Sequence, residues 1–367
     1  MRRSCGLFLA LIFILSASPA MLWAGEKETD IKTTTWKDIF SDVVGHYPLN
    51  IDQTNTSPAE RGKLNIPKNW VFDFGVRRFI MSHTSFEIGN NAPPFQVPLS
   101  RLQFPLDTWW LEFELRRTCP RWSAGFRAGT SVASNIDRRF KDSDWLNPAS
   151  PDMLTTYSES AMRLENSSIF RGDVDVNVSD WLRLPPGLEI RPLFAFEFQR
   201  FNLMAHDGVQ WEVGSYNPGD TARSLDGYIS AQALAGNSIH FRQDYYMYQI
   251  GLRAAYDGIK IGKYIDIKVT GEADWGPVLG YDKDDHLLRG LFGYINSSGN
   301  SFYFSTGLDM VFAKTITAGI SMDYLNIRTF GSMHDVSRSQ NIDQWNDYGV
   351  KAWSDQTSLK AHVSYAF

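Results

Sequence analysis

The chain has 367 residues, 14% of them aromatic, and a formal charge of −5. That acidic balance argues against nucleic acid as a partner, and Cys5 and Cys119 are its only cysteines, so once the first residues are removed no intrachain disulfide can form. There is no phosphate-binding glycine loop, no His-Glu-x-x-His and no Gly-x-Ser-x-Gly, and no carboxylate or sulfur cluster suggests a metal.

Residues 1–24 read as a secretory signal peptide. Arg2 and Arg3 give a positive start, and Gly6 to Leu15 form an uncharged apolar core, too short for the ~20 residues a spanning helix needs. Ser18-Pro19-Ala20 and Leu22-Trp23-Ala24 both offer small-residue cleavage sites. Cleavage removes two arginines and no acid, so the mature chain is more acidic still. Residues 25–68 do not alternate like strands and are expected to form a periplasmic extension. Thr35 with Asp38 three residues on caps a short helix there, with Trp36, Ile39, Phe40, Val43 and Val44 on one face and Gly45 ending it. A loosely ordered leader is the alternative.

From residue 69 to 367 the chain reads as an all-β protein, a ten-stranded antiparallel transmembrane β-barrel. Strands are expected near 71–88, 102–118, 122–136, 165–182, 189–205, 240–257, 263–281, 301–314, 316–331 and 356–367. Period-two alternation carries the assignment: Val174, Val176 and Val178 interleave with Asp173, Asp175 and Asn177. In the same way Ile316, Ala318, Ile320, Met322 and Tyr324 oppose Thr317, Ser321 and Asp323. Such strands put one set of side chains on lipid and the other in the lumen. Short connections at Cys119-Pro120-Arg121, Arg183 to Leu188, near Gly258 and near Thr315 suit the periplasmic side. Long ones at 89–101, 137–164, 206–239, 282–300 and 332–355 suit the outside. In the last strand Leu359, Ala361, Val363, Tyr365 and Phe367 alternate with Lys360, His362, Ser364 and Ala366. That ending resembles the terminal strand signal of outer-membrane barrels, the alternative being the edge strand of a soluble sandwich.

Two acidic clusters stand where strands run up into predicted outer loops: Lys141-Asp142-Ser143-Asp144-Trp145 and Tyr281-Asp282-Lys283-Asp284-Asp285-His286. Residues two apart in an extended segment share a face, so Asp142 pairs with Asp144, and Asp282, Asp284 and His286 point together into the lumen. A carboxylate beside His fixes its tautomer and lets it take a proton from water. Two adjacent carboxylates hold one proton between them and can bind a water. The arrangement suits water activation for peptide hydrolysis, while a solvated acidic loop is the plainer reading.

These motifs resemble the two catalytic clusters of the omptin proteases. Asp-x-Asp-Trp at 142–145 with Asn147-Pro148 downstream, Asp-x-Asp-x-His at 282–286, Phe241-Arg242-Gln243 followed by Tyr248-x-Ile250-Gly251-Leu252, and the aromatic-x-Phe ending are all similar to the family pattern, patchily over 71–367. The resemblance implies an aspartic-type endopeptidase of the bacterial outer membrane with its active face extracellular. It implies that Asp284 orients His286 as general base, that Asp142 and Asp144 hold the attacking water, and that Asp282 binds a basic substrate side chain. Two departures qualify it. The family's second acid for the basic pocket falls on His83 here, with Glu87 the nearest acid. Of its lipopolysaccharide motif only Arg200 remains, with Phe196 and Phe198 replacing a Tyr and a Glu.

No metal or other cofactor is expected beyond lipopolysaccharide as an activating lipid. The expected partners are peptides or proteins, cationic ones above all, together with outer-membrane lipid, and the chain is expected to be a monomer. A catalytically inactive surface barrel, serving as adhesin or structural protein, is the competing function. A passive pore is disfavoured, because side chains fill so narrow a lumen.

Overall fold

The computed structural model describes residues 70–367, apart from positions 94, 133, 214–227, 262–264 and 313–314. The expected signal peptide and the capped helix within 25–68 lie outside the described residues. The strands are β1 (Trp70–Asn90), β2 (Gln96–Pro105), β3 (Trp109–Thr118), β4 (Trp122–Ser131), β5 (Asn135–Asp144), β6 (Thr156–Val176) and β7 (Leu188–Val213). They continue as β8 (Tyr228–Ile261), β9 (Ile265–His286), β10 (Leu291–Phe312), β11 (Ile316–Ser337), β12 (Ile342–Asn346) and β13 (Lys351–Ala366). A single helical turn, α1 (Ser179–Leu182), follows β6.

These strands make one antiparallel sheet that closes on itself, because β13 pairs with both β1 and β11. Phe74 lies opposite Val363 in one seam and Ala318 opposite Val363 in the other. The closed ring has ten staves. β2 and β3 are two lengths of one stave, pairing with the upper and lower parts of β1. β4 and β5 divide the next stave in the same way against β6. Among the described residues β12 pairs only with β11, as a short extension beyond the ring.

Alternation decides which way each side chain points. On β13, Leu359, Val363 and Tyr365 are exposed on the outer face, while Ser358, Lys360 and Ser364 are buried in the lumen. On β1, Phe72, Phe74 and Val76 face out and Asp73 and Arg77 face in. A belt of exposed Phe, Leu, Ile, Val and Met around a barrel is a lipid-facing surface, and closure satisfies the backbone bonds that lipid cannot. Among the described residues no helix is long and apolar enough to cross a membrane.

The lumen is lined by charge around a cavity of about 390 Å³ towards one end and filled by apolar side chains towards the other. Towards the end carrying the barrel's two termini, buried charges pair off. Arg77 bonds Glu112 at 2.6 Å and Asp323 at 2.5 Å, and Arg171 reaches Glu272 at 2.6 Å and Asp274 at 2.5 Å. At that depth a charge is tolerable only when it faces the interior and is paired. Towards the distal rim the filling turns apolar. Trp110, Phe104, Phe140, Phe201, Phe241, Leu102 and Leu203 form one buried cluster. Phe104 meets Phe140 and Phe241 at centroid separations of 4.7 and 4.5 Å.

Three expectations about boundaries change. The distal connections are shorter than read, because β5 and β6 continue to Asp144 and from Thr156, and β9 and β10 leave only 287–290 between them. These polar segments pair as hairpins above the lipid belt, where no apolar stripe marks a strand. The strand expected to reach 182 stops at Val176, and the chain turns through α1 with Arg183 in the left-handed conformation. β1 carries an irregularity between Ile80 and His83, with Met81 at φ 49° and 80% exposed. Such a bulge reverses the facing of every later residue on the strand.

Candidate active site

The apolar cluster is the floor of a cleft at the distal rim, and strand continuity sets acids on it from two sides. Phe140 of β5 and Phe241 of β8 both pack on Phe104. Asp142 follows two residues above Phe140 on the same face, and Asp284 of β9 is the register partner of Phe241. The rings therefore bring opposite staves together just below the two acidic clusters.

On the β9 side Asp282 and Asp284 are buried and His286 is nearly so, all on the lumen face as the alternation predicts. His286 Nε2 lies 3.0 Å from Asp284 Oδ2. Its other ring nitrogen, Nδ1, is 2.6 Å from Nη2 of Arg289, a donor on the tight loop after β9. An arginine can only donate, so Nδ1 accepts and Nε2 carries the hydrogen towards Asp284. Burial acts to lower the His286 pKa, but the charge and hydrogen bond of Asp284 outweigh it and hold the imidazole above its ordinary value.

On the β5 side the carboxyl of Asp142 is pushed up to about 8 by burial first and by Asp144 second, with Asp284 adding to the rise and His286 and Arg289 opposing it. Burial raises Asp144 as well, against a hydrogen bond from Ser100 and the charges of Arg289 and His286. The two clusters thus lie within electrostatic reach of each other, with Arg289 in range of both. Oδ1 of Asp142 and Oδ1 of Asp284 are buried and accept no hydrogen bond from the described residues. One proton resident between two carboxyls, with free acceptor oxygens alongside a hydrogen-bonded imidazole, can hold and deprotonate a water.

Asp282 sits one step below, just above the outward aromatic pair Tyr246 and Tyr281. Its neighbours are Gln243, whose Nε2 is 3.5 Å from Oδ2, and through Gln243 the hydroxyl of Thr84. Burial pushes the Asp282 carboxyl well above its usual range, with Gln243 pulling the other way.

His83 does not join this pocket. The bulge at Met81 turns it outwards, where its Nε2 lies 3.6 Å from Asp355, and Thr84 faces the lumen in its place. Glu87 is turned outwards too and is neutralised by Arg101 at 2.6 Å and Lys351 at 3.2 Å. Arg200 faces out, held by Asp244 through bonds of 2.7 Å from both Nε and Nη2. Reading the sequence did not single out Arg289, Gln243 or Asp335. Gln243 stood within a quoted motif, and Asp335 shares the inward parity of Met333 and Ser337 on β11. Only the folded loop brings Arg289 onto His286.

A closed barrel with a lipid-facing belt and a polar cleft at one rim defines an integral protein of the bacterial outer membrane. The Omptin family model matches residues 107–366, and the chain belongs to that family. Among solved structures it is similar to the outer membrane protease OmpT from Escherichia coli, at 15% identity and a TM-score of 0.67, covering 82% of this chain and 98% of that one. At that identity the likeness is one of fold. The translocator domain of the autotransporter NalP from Neisseria meningitidis follows at 8% identity and a TM-score of 0.33, covering 86% and 90%. No curated protein matches this sequence.

Proposed function

We propose that this omptin-family barrel is an outer-membrane endopeptidase that hydrolyses peptides at the cell surface, using Asp284 and His286 facing Asp142 and Asp144. The observation that carries the reading is the geometry of the two clusters at one rim: His286 Nε2 lies 3.0 Å from Asp284, accompanied by buried oxygens of Asp142 and Asp284 that have no partner among the described residues. Burial first, then Asp144 and Asp284, push the Asp142 carboxyl up to about 8, with His286 opposing. In this mechanism Asp142 and Asp144, sharing a proton, hold a water by hydrogen bonds. His286 removes a proton from that water at Nδ1 as oxygen attacks the peptide carbonyl, and Asp284 stabilises the imidazolium through Nε2–H. The imidazolium then returns the proton to the departing amine, which leaves a carboxylate and an amine. Arg289 must leave Nδ1 before this nitrogen can act.

Substrates with a basic side chain fit the pocket of Asp282. A buried carboxyl driven towards its neutral form recovers its charge when a guanidinium or ammonium pairs with it. With His83 turned outwards, Asp282 has no acidic partner on β1, and the preference for basic residues is less strict than a two-acid pocket gives. On the outer surface Arg200, fixed by Asp244, is the contact we assign to a lipopolysaccharide phosphate.

The Arg289–His286 contact favours a second reading, a surface barrel whose base is permanently capped. One experiment separates the two. Wild type and His286→Ala are refolded in detergent with lipopolysaccharide, and cleavage of an Arg-containing peptide is followed. The peptidase reading expects a loss of roughly 10²–10⁴-fold in the variant. Equal rates, or no cleavage by a folded wild type, support the inactive barrel.

A further inference from the structure

The outward turn of His83 and Glu87 leaves β1 without an inward acid at the mouth, but the lumen holds another. Asp335 lies on β11 with 7% of its surface exposed, and its Oδ1 has no hydrogen-bond partner among the described residues. It stands level with Asp284 across β10, where the intervening register partner of both is Gly293. A Cβ at Gly293 would run into the Met333 methyl and come 3.2 Å from Asp335 Oδ1 and 3.6 Å from the Asp284 Cβ. The glycine therefore leaves room for Met333 and for the Asp335 carboxylate beside the dyad.

Leaving a carboxylate oxygen buried and unpartnered is costly, and a ligand donor removes that cost. Burial and the charge of Asp284 both raise the Asp335 carboxyl, opposed by Gln344, His286 and His334. The unpartnered Oδ1 is open to a donor from a ligand. Among the described residues no group of three or more His, Cys, Asp or Glu can hold a metal ion. An organic cation suits the position better.

We propose that Asp335 forms a second acidic subsite, which takes the guanidinium or ammonium of a substrate Arg or Lys at a different position from the one read by Asp282. Asp335 is two strands across from Asp284, and Asp282 is two residues along β9. By ordinary sheet spacings that sets the Cα atoms of Asp335 and Asp282 apart by roughly 12 Å, so the two acids read different positions. The inference rests on the peptidase reading only in taking the bound chain to be a peptide.

The test reads binding, so that it stands apart from turnover. Labelled peptides carrying a single Arg, moved one position at a time, are titrated by fluorescence anisotropy against His286→Ala, and citrulline peptides serve as neutral partners. Adding Asp335→Asn is expected to weaken binding roughly 10–100-fold for Arg at one position and to leave its citrulline counterpart nearly unaffected. Adding Asp282→Asn instead is expected to act at another position. Equal effects on Arg and citrulline peptides, the same position for both acids, or no binding of any peptide would overturn the subsite. A wild type that binds these peptides with the expected pattern but cleaves none would sink the peptidase reading and leave the subsite standing.

Discussion

The charges around His286 predict that two substitutions move the pH–rate profile in opposite directions. Catalysis by this imidazole needs it neutral, so activity falls as pH drops through its pKa, and the acid limb of wild type should lie above 6.5. The alkaline limb should fall near pH 8, where Asp142 gives up the proton it shares with Asp144. Asp284→Asn removes the main influences that raise His286 and leaves burial and Arg289, which lower it. Removing a charge in direct contact typically moves a titration by about one to three pH units, so the acid limb should move down by at least about one unit. The maximal rate should fall by roughly 10²–10⁴-fold, because the tautomer is no longer held. Arg289→Gln takes away a cation that lowers His286, Asp142 and Asp144 alike, and both limbs should move towards alkaline pH. Arg289 is exposed and solvent screens it, so that movement should be about half a unit or less. The assay is kcat/KM for one neutral peptide from pH 5 to 9, which keeps substrate charge out of the comparison. An acid limb that stays in place in both variants, or moves the same way in both, would refute the assignment of His286 as the titrating base.

Asp282→Asn should reduce the preference for Arg over citrulline at the cleavage position by about tenfold, read as a ratio of kcat/KM values; an unchanged ratio removes Asp282 from the pocket. Leu359→Arg, on the lipid face of β13, should destabilise the barrel by roughly 2–4 kcal/mol if it sits near the bilayer midplane. Reversible unfolding in lipid vesicles measures this, and a neutral effect would contradict the facing of that strand.

The barrel was legible because lipid enforces alternation. Where Phe72, Phe74 and Val76 meet hydrocarbon, one side of the strand must be apolar, and the pattern is visible in the letters. Above the lipid the outer face turns polar, so most of β5 and the upper halves of β6 and β10 read as loops although they pair as strands. The candidate site was legible for a related reason. Asp282, Asp284 and His286 sit on a strand without a bulge, so parity carried from the membrane region to the rim. His83 failed because Met81 adds a residue to β1, and nothing in a period-two pattern marks such an insertion. Arg289 and Asp335 were missed because each matters through a neighbour distant in sequence or across the sheet. One lies on a folded loop and the other beyond a glycine.

The aromatic layer in the lumen also decides which environment the cleft answers to. Rings packed from Phe140 through Phe104 to Phe241 lie directly beneath the acids, and paired charges line the cavity below. In the proposed mechanism, water consumed at the rim and protons released there exchange with the medium on the cleft's side of that layer. The ionisation of His286 and of the Asp142–Asp144 pair then follows the acidity on that side of the barrel, independently of the compartment on the other.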